Sequence, residues 1–301
     1  MPPGESLVSS AVDVNNKRVL LSWLTIPVTT VIALFFLKLA NPINYDPDLY
    51  WHLKTGEYIL ANWALPHADI FSYTARGKDW VLHEWLSEVI FYGITALAGV
   101  KGLDVFVAAI YTATFYLLFT LCTRIVGNPV RALIVTLVFF APLMPFASPR
   151  PQIFTYLFFA AFLYVLFDWK YASRTRSLAL LPVITVFWAN MHGAFFAGVA
   201  LLGLFIAAEW AIWLAGPKVE MARRERLVKL TRWALAAAAI TLLNPRFAEY
   251  WIYPFYVVNL EVARGMISEW QSPNFHALEF KYFLAVFILF FFALIYSKKK
   301  P

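Results

Sequence analysis

Apolar residues gather into stretches separated by short polar segments, and eight of these stretches predict transmembrane helices. They are Val19 to Leu39, Leu103 to Thr123, Ala132 to Phe146, Ile153 to Phe167, Leu178 to Ala189, Phe195 to Leu214, Trp233 to Leu243 and Tyr282 to Tyr296. The longer ones reach the roughly 20 residues that cross about 30 Å of hydrocarbon. A ninth apolar segment, Leu86 to Val100, is short, carries Glu88 and Gly93, and is hemmed in by Gly99, Lys101 and Gly102. It reads as a buried or re-entrant helix that does not cross. The stretch Leu49 to Trp63 mixes Trp51, Leu53 and Tyr58 with polar residues and predicts a helix lying in the membrane interface, while Glu220 to Arg232 predicts a basic amphipathic helix on anionic headgroups. The expected fold is therefore all-α, a polytopic membrane protein of about eight transmembrane helices, with interfacial helices in its first and last large outer loops.

Sidedness follows from the basic residues, which collect in cytoplasmic loops. With Leu86 to Val100 left out of the count, sixteen Lys and Arg residues fall on inner segments and eight on outer ones. Counting it as a span would put Lys170, Arg174, Arg176 and the Lys218 to Arg232 cluster outside. The predicted topology is N-in and C-in: a cytoplasmic tail over residues 1–18, then one transmembrane domain over 19–301 with large outer loops at 40–102 and 244–281. All five histidines and most of the acids then lie outside, whereas the inner loops contain no histidine. Exclusion of ionisable groups from hydrocarbon explains part of that bias, and a functional outer face explains the rest.

Composition agrees. Apolar residues make up 61% of the 301 and charged residues 14%, which excludes a soluble enzyme. The net charge of +7 invites a nucleic-acid reading, but the bases sit in short loops between apolar spans, so no nucleic-acid partner is expected. The lone Cys122 lies inside an apolar run, so no intrachain disulfide forms. Lys17 and Arg18 precede a stretch longer than a signal-peptide core, which reads as a retained first span.

Candidate chemistry sits in the outer loops. In Asn44-Tyr45-Asp46-Pro47-Asp48-Leu49-Tyr50-Trp51-His52-Leu53-Lys54, Asp48 can cap a helix on which His52 follows at i+4 and shares its face. Two carboxylates and an imidazole then converge, able to hold a divalent cation or to supply a general base; the bland alternative is capping by Asp48 with Asp46 solvated. His83 and Glu84 lie between Trp80 and Trp85, where an indole face can stack on a sugar or a cation, although belts of interfacial Trp are ordinary anchors. Arg150, between Pro149 and Pro151 and followed by Gln152, suits a phosphate, or snorkels to headgroups. Asn190-Met191-His192-Gly193 is a polar kink, and the last outer loop offers Asn244-Pro245-Arg246 and Glu269-Trp270-Gln271.

The motifs DPDLYWHLKTGEYI, FSYTARGKDWVLHEWL, RPQ, NMHG, LLNP and EWQSP, spread over Val19 to Pro273, resemble the GT-C superfamily of membrane glycosyltransferases. The resemblance is specific in the first loop and weak elsewhere. It implies a GT-C-like fold in a bacterial inner (plasma) membrane with its active face periplasmic or extracellular. It further implies transfer of a hexosyl or pentosyl unit from a polyprenyl-phosphate donor to a glycan, lipid or protein acceptor, with inversion. Asp46 or Asp48 would match the family's first-loop acid, which orients or deprotonates the acceptor hydroxyl and touches Mg or Mn. Arg150 would lie near the phosphate leaving group, and His52, Lys54, His83, Glu84, Trp85, Gln152, His192, Arg246, Glu269 and Trp270 would line the substrate site. The chain departs from the pattern in offering no carboxylate between Ala147 and Gln152. Members generally continue with further spans and an outer domain, so the resemblance implies a minimal, truncated or degenerate member. The alternative expectation is a non-catalytic carrier, flippase or accessory subunit for lipid-linked sugars.

Overall fold

The computed structural model describes residues 28–35, 47–216, 221–259 and 272–297. These form helices: α1 (28–35), α2 (Asp48–Asn62), α3 (Trp85–Val126), α4 (Pro129–Phe140), α5 (Gln152–Ala172), α6 (Leu180–Met191), α7 (Phe195–Ala215), α8 (Met221–Ile240), α9 (Glu249–Val258) and α10 (Leu278–Tyr296). Among the described residues the only β pairing is an isolated bridge between Ala68 and Asp79.

Three helices, α3, α5 and α7, are long and apolar enough to cross a membrane by themselves. The apolar stretches Pro129–Met144, Arg176–Met191 and Phe280–Tyr296 form shorter helices. The chain stops α4 at Phe140 and tightens into a 3-10 turn over Ala141–Phe146, where Pro142 has no N–H to continue the helix. The expected first span is described only over 28–35.

Two expectations change. The basic segment and the span that follows it are one continuous helix, α8, which packs one side inward through Leu227, Leu230, Ala234 and Ala237. The segment expected not to cross is joined to the next span in α3, 42 residues long, and the join is a bend at Gly99 (φ 67°, ψ −175°), a conformation a side chain would oppose. The arm before the bend is about 14 residues, or about 21 Å at 1.5 Å per residue, short of the hydrocarbon thickness.

α5 runs between two cores. On one side Ile153 and Phe154 join Leu49, Phe91, Leu103, Tyr111, Phe115, Phe140 and Met191, from α2, α3, α4 and α6. On the other Phe162, Val165 and Trp169 join Trp188, Leu202, Leu227, Leu230 and Tyr250, from α6 to α9. α10 packs on the 3-10 turn and leaves Phe283, Phe287, Phe291 and Ile295 exposed, a face that hydrocarbon would cover.

The two ends of this body differ in chemistry. At the C-terminal end of α5, Asp168 accepts a hydrogen bond from Arg124 at 2.8 Å and lies 3.8 Å from Arg174, while Glu209 sits 2.7 Å from Lys170 and 3.5 Å from Arg223. Each buried acid is thus flanked by two cations. The end where α5 begins carries the histidines.

Candidate functional site

The connection from α2 to α3 is long, yet it is tied down. Asp69 accepts from the Phe71 and Ser72 backbone N–H groups at 2.9 and 2.8 Å and from the Ser72 hydroxyl at 2.6 Å, and this bonding holds its carboxyl below the usual range. Gly77 turns the chain back at φ 83° so that Trp80 N–H reaches the His67 carbonyl at 2.9 Å. Arg246 then staples the loop from outside, donating to the Asp79 carboxylate at 2.8 Å and to the Trp80 and His67 carbonyls at 3.0 and 3.3 Å. The result is a fixed platform for Val81 to Glu84.

On that platform three of the five histidines converge on one carboxylate. Glu84, 12% exposed, has Oε1 at 3.5 Å from His83 Nε2 and 3.5 Å from His192 Nε2, and Oε2 at 4.0 Å from His52 Nε2. His52 comes from α2, His192 from the turn between α6 and α7. Beneath them Glu88, fully buried one turn into α3, places Oε1 at 3.1 Å from His52 Nδ1, while its Oε2 has no protein partner. This close approach of α2 to α3 requires Gly56, where a Cβ would collide with the Glu88 carbonyl.

The hydrogen-bond partners fix most of the protons. Trp188 Nε1 donates to Thr155 Oγ at 2.8 Å, so the single Thr155 hydroxyl proton is left for His192 Nδ1 at 2.8 Å. The Ala194 N–H also points at Nδ1, at 3.3 Å, so His192 carries its proton on Nε2, toward Glu84. Burial first, and then the positive His83, His52 and Arg150 neighbours, depress His192 to about 4 against the pull of Glu84. His83 Nδ1 faces the Val81 carbonyl at 3.2 Å, an acceptor, and its Nε2 faces a carboxylate, so both nitrogens are placed to donate. Burial lowers His83, but the adjacent Glu84 outweighs it and the imidazole ends above its ordinary value. Burial likewise pushes Glu84 up, and the charge and hydrogen bond of His83, then His192 and His52, bring it down to about 2. Glu84 is therefore a committed carboxylate surrounded by donors, a poor candidate for a base.

One helical turn outward on α2 lies a second, more accessible contact. Asp48 ion-pairs with Arg150, their side chains 46% and 17% exposed. This corrects the capping expectation: the N-cap of α2 is Pro47, with no side-chain cap bond, and the Asp48 carboxylate reaches across to the proline turn before α5. The turn is rigid, with the Arg150 N–H on the Ser148 carbonyl at 2.8 Å and the Ile153 N–H on the Arg150 carbonyl at 3.1 Å. Two sets of contacts thus join α2 to the start of α5: Asp48 to Arg150, and His52 by way of Glu84 and His192 to Thr155.

The other expected site residues fall in several places. Gln152 opens α5 directly after the Arg150 turn. Trp85 donates to Asn190 at 2.8 Å, anchoring α3 to α6 and offering no stacking face to a ligand through that edge. Lys54 pairs with Glu57 at 2.5 Å on an exposed part of α2 away from the cluster, and Arg246 is engaged as the loop staple. Asp46, Glu269 and Trp270 lie outside the described residues. Four groups of the site went unnamed as candidates: Glu88, Thr155, Trp188 and Tyr253, whose ring lies 5.1 Å from His83. The i+4 spacing of Glu84 and Glu88 was a usable signal; nothing in the sequence marks Thr155.

Beside Asp48 the charged partner Arg150 is itself a cation, the expected second ligand Asp46 lies outside the described residues, and no step below is routed through a metal. Among the described residues no group of three or more His, Cys, Asp or Glu side chains is arranged to hold a metal ion; in the cluster the Glu84 oxygen takes the position between imidazoles.

No protein-family model, no curated protein and no solved structure matches this chain.

Proposed function

We propose that this protein is a membrane transferase that moves a sugar from a polyprenyl-phosphate donor to an acceptor hydroxyl at the outer face, with Asp48 and Arg150 at the reacting centre. The observation that carries the reading is their contact, which sets an accessible carboxylate beside a guanidinium held by two prolines. Such a pair supplies the two things this displacement needs. Asp48 takes the proton of the acceptor hydroxyl as its oxygen bonds to the anomeric carbon. The bond from that carbon to the phosphate oxygen breaks, its electron pair leaves with the phosphate, and Arg150 balances the developing charge. The histidine cluster beneath positions both elements: Glu84 is ringed by the imidazoles of His52, His83 and His192, and His192 bonds Thr155 at the start of α5.

A carrier or flippase would use polar groups strung through the helices at mid-depth. Among the described residues the hydroxyls of Thr114, Thr123, Thr136 and Thr185 instead bond carbonyls four residues back on their own helices. That favours the transferase over the carrier. The test is mass spectrometry of surface glycans and lipid-linked sugars in a deletion strain complemented with wild type, Asp48→Asn or Arg150→Gln at matched expression. Loss of one glycan with accumulation of its lipid-linked donor in both variants is the expected outcome. A wild-type profile from either variant removes the assignment.

A further inference from the structure

We propose that the end of the bundle where α5 finishes binds a phosphate, carried by the headgroup of an anionic lipid, with Trp169 of α5, Trp213 of α7 and Arg226 of α8 as its donors. The site is separate from the one at the start of α5 and does not depend on the transferase reading. Buried polar groups are almost always matched. Among the described residues four buried side-chain atoms have no hydrogen-bond partner, and three of them, Trp169 Nε1, Trp213 Nε1 and Arg226 Nε, lie at this end. All three are donors, and neither an indole nor a guanidinium can accept. What completes them is an acceptor, and an anionic oxygen suits the guanidinium best.

The three donors share one neighbourhood. Arg226 donates from Nη2 to the Trp169 carbonyl at 2.5 Å, and its guanidinium lies 5.1 Å from the centroid of the Trp169 ring. Trp213 packs on the same apolar core as Trp169, one turn from Trp210, whose indole N–H donates to Thr231 of α8 at 3.1 Å. Charge favours an anion. Asp168 and Glu209 each already face two cations, and among the described residues no carboxylate pairs with Arg226. Adding the exposed Arg224, Glu225 and Lys229 of α8 leaves the excess positive. The surroundings favour a lipid as the source. α5 and α7 are long and apolar enough to cross a membrane, which puts their ends at headgroup depth, and Ile212 and Leu214, flanking Trp213 and 48% and 61% exposed, offer apolar surface to acyl chains.

The experiment is native mass spectrometry of the full chain in a neutral detergent, titrated with phosphatidylglycerol, with diacylglycerol as the phosphate-free control and inorganic phosphate as the lipid-free probe. Wild type should bind one phosphatidylglycerol saturably and no diacylglycerol at the same concentration. A hydrogen bond from a neutral donor corresponds to roughly two- to tenfold in affinity, and one from a charged donor to roughly tenfold or more. Trp169→Phe and Trp213→Phe, which keep an aromatic ring and remove the N–H, should each weaken binding by the smaller factor, and Arg226→Gln by the larger. Lys229→Gln, the same loss of charge on an exposed part of α8, should stay within about twofold of wild type. In nitrogen-15 spectra the two indole signals missing from the Phe variants should move downfield when wild type takes up the lipid. Saturation by phosphatidylglycerol alone assigns the site to a headgroup, and saturation by inorganic phosphate with the same pattern of losses assigns it to the free ion; either supports the phosphate site. Two results overturn it: no saturable binding of either probe, or binding that Lys229→Gln weakens as much as Arg226→Gln while the indole signals stay in place, which is general surface attraction. Each variant is first checked for a wild-type elution profile, and should Arg226→Gln fail to fold, Arg226→Lys, which keeps the charge and lacks the Nε donor, should still weaken binding. The indole shifts are read on wild type itself, so the outcome does not hang on any one variant.

Discussion

The hydroxyl of Thr155 accepts from the Trp188 indole N–H at 2.8 Å and lies 2.8 Å from Nδ1 of His192, which the Ala194 N–H marks as the acceptor nitrogen, so the hydroxyl donates there. One hydroxyl on the first turn of α5 thereby helps to fix which nitrogen of His192 faces Glu84. Thr155→Val keeps the shape and removes the relay, leaving the Trp188 N–H and the His192 Nδ1 lone pair without their partner. A loss of about 1–3 kcal/mol is expected for such orphaned buried groups, and Thr155→Ser should restore most of it. Nitrogen-15 spectra of histidine-labelled protein check the mechanism directly: wild type should show His192 protonated on Nε2, and the Val variant a mixture of tautomers. An unchanged tautomer in Thr155→Val sinks the relay.

The cluster gives stability an optimum in pH. His192 is depressed to about 4, so between there and its ordinary value near 6.5 the unfolded chain binds a proton that the folded chain refuses; stability rises with pH across that window. His83 is raised, so its contribution is complete below about 6.5 and is lost as pH climbs through its folded value. Glu84, held at about 2, contributes above its unfolded value and loses that contribution as pH falls below it. Glu88, pushed up to about 7 by burial, holds a proton in the folded chain from its ordinary 4.5 upward, so its contribution falls with pH and opposes the His192 rise over the same window. Thermal midpoints of the purified protein should therefore stay nearly level between about pH 4.5 and 6.5 and fall on both sides. His192→Gln should tilt that plateau downward with rising pH, and His83→Gln should flatten the alkaline limb. A single monotonic limb in wild type would contradict these assignments.

Gly56 and Gly99 are both structural, for different reasons. A Cβ at Gly56 collides with the Glu88 backbone, so Gly56→Ala must push α2 off α3 and open the His52 to Glu88 contact. Overpacking of this kind costs about 1–3 kcal/mol. At Gly99 there is open space but a positive φ with ψ near 180°, a region open essentially to glycine alone, so Gly99→Ala should cost about 1–3 kcal/mol and act on the bend alone. On the proposed transferase reading, the glycan profile should be lost further for Gly56→Ala than for Gly99→Ala at equal amounts of folded protein. The reverse order would mean that the bend, and not the α2 to α3 contact, aligns Asp48.

The helices and the chemical poverty of the Arg-rich end were legible in the sequence because hydropathy and charge are local signals. So was the break near Gly99, since a glycine-flanked, acid-bearing apolar run rarely crosses whole. The convergence of His52, His83 and His192 was foreseen only as separate candidates on three loops, because their meeting depends on the packing of α2, α3 and α6, which no local pattern encodes. Asp48 misled for a related reason: an acid before an apolar run has a strong local explanation as a cap, and only the fold shows that Arg150 outcompetes the helix end for it. Thr155 and Trp188 looked like ordinary span residues, and their roles come entirely from what faces them.

Arg246 separates a structural from a substrate-binding role in one experiment. Its guanidinium donates to Asp79 at 2.8 Å, to two loop carbonyls at 3.0 and 3.3 Å, and to Glu249 at 3.3 Å, which holds the Ala68 to Trp80 loop against α9. These bonds raise its own pKa, with Asp79 the leading cause. Arg246→Gln should free the loop tip, and limited proteolysis should then cut between Ser72 and Lys78 several-fold faster than in wild type, with Lys54→Ala as a silent control. Because the loop carries Glu84 at its end, the binding of undecaprenyl phosphate that the proposed function calls for should weaken in parallel with the loss of protection. A variant that keeps the loop protected yet loses ligand would instead place Arg246 on the substrate, since a staple cannot be removed without loosening what it holds.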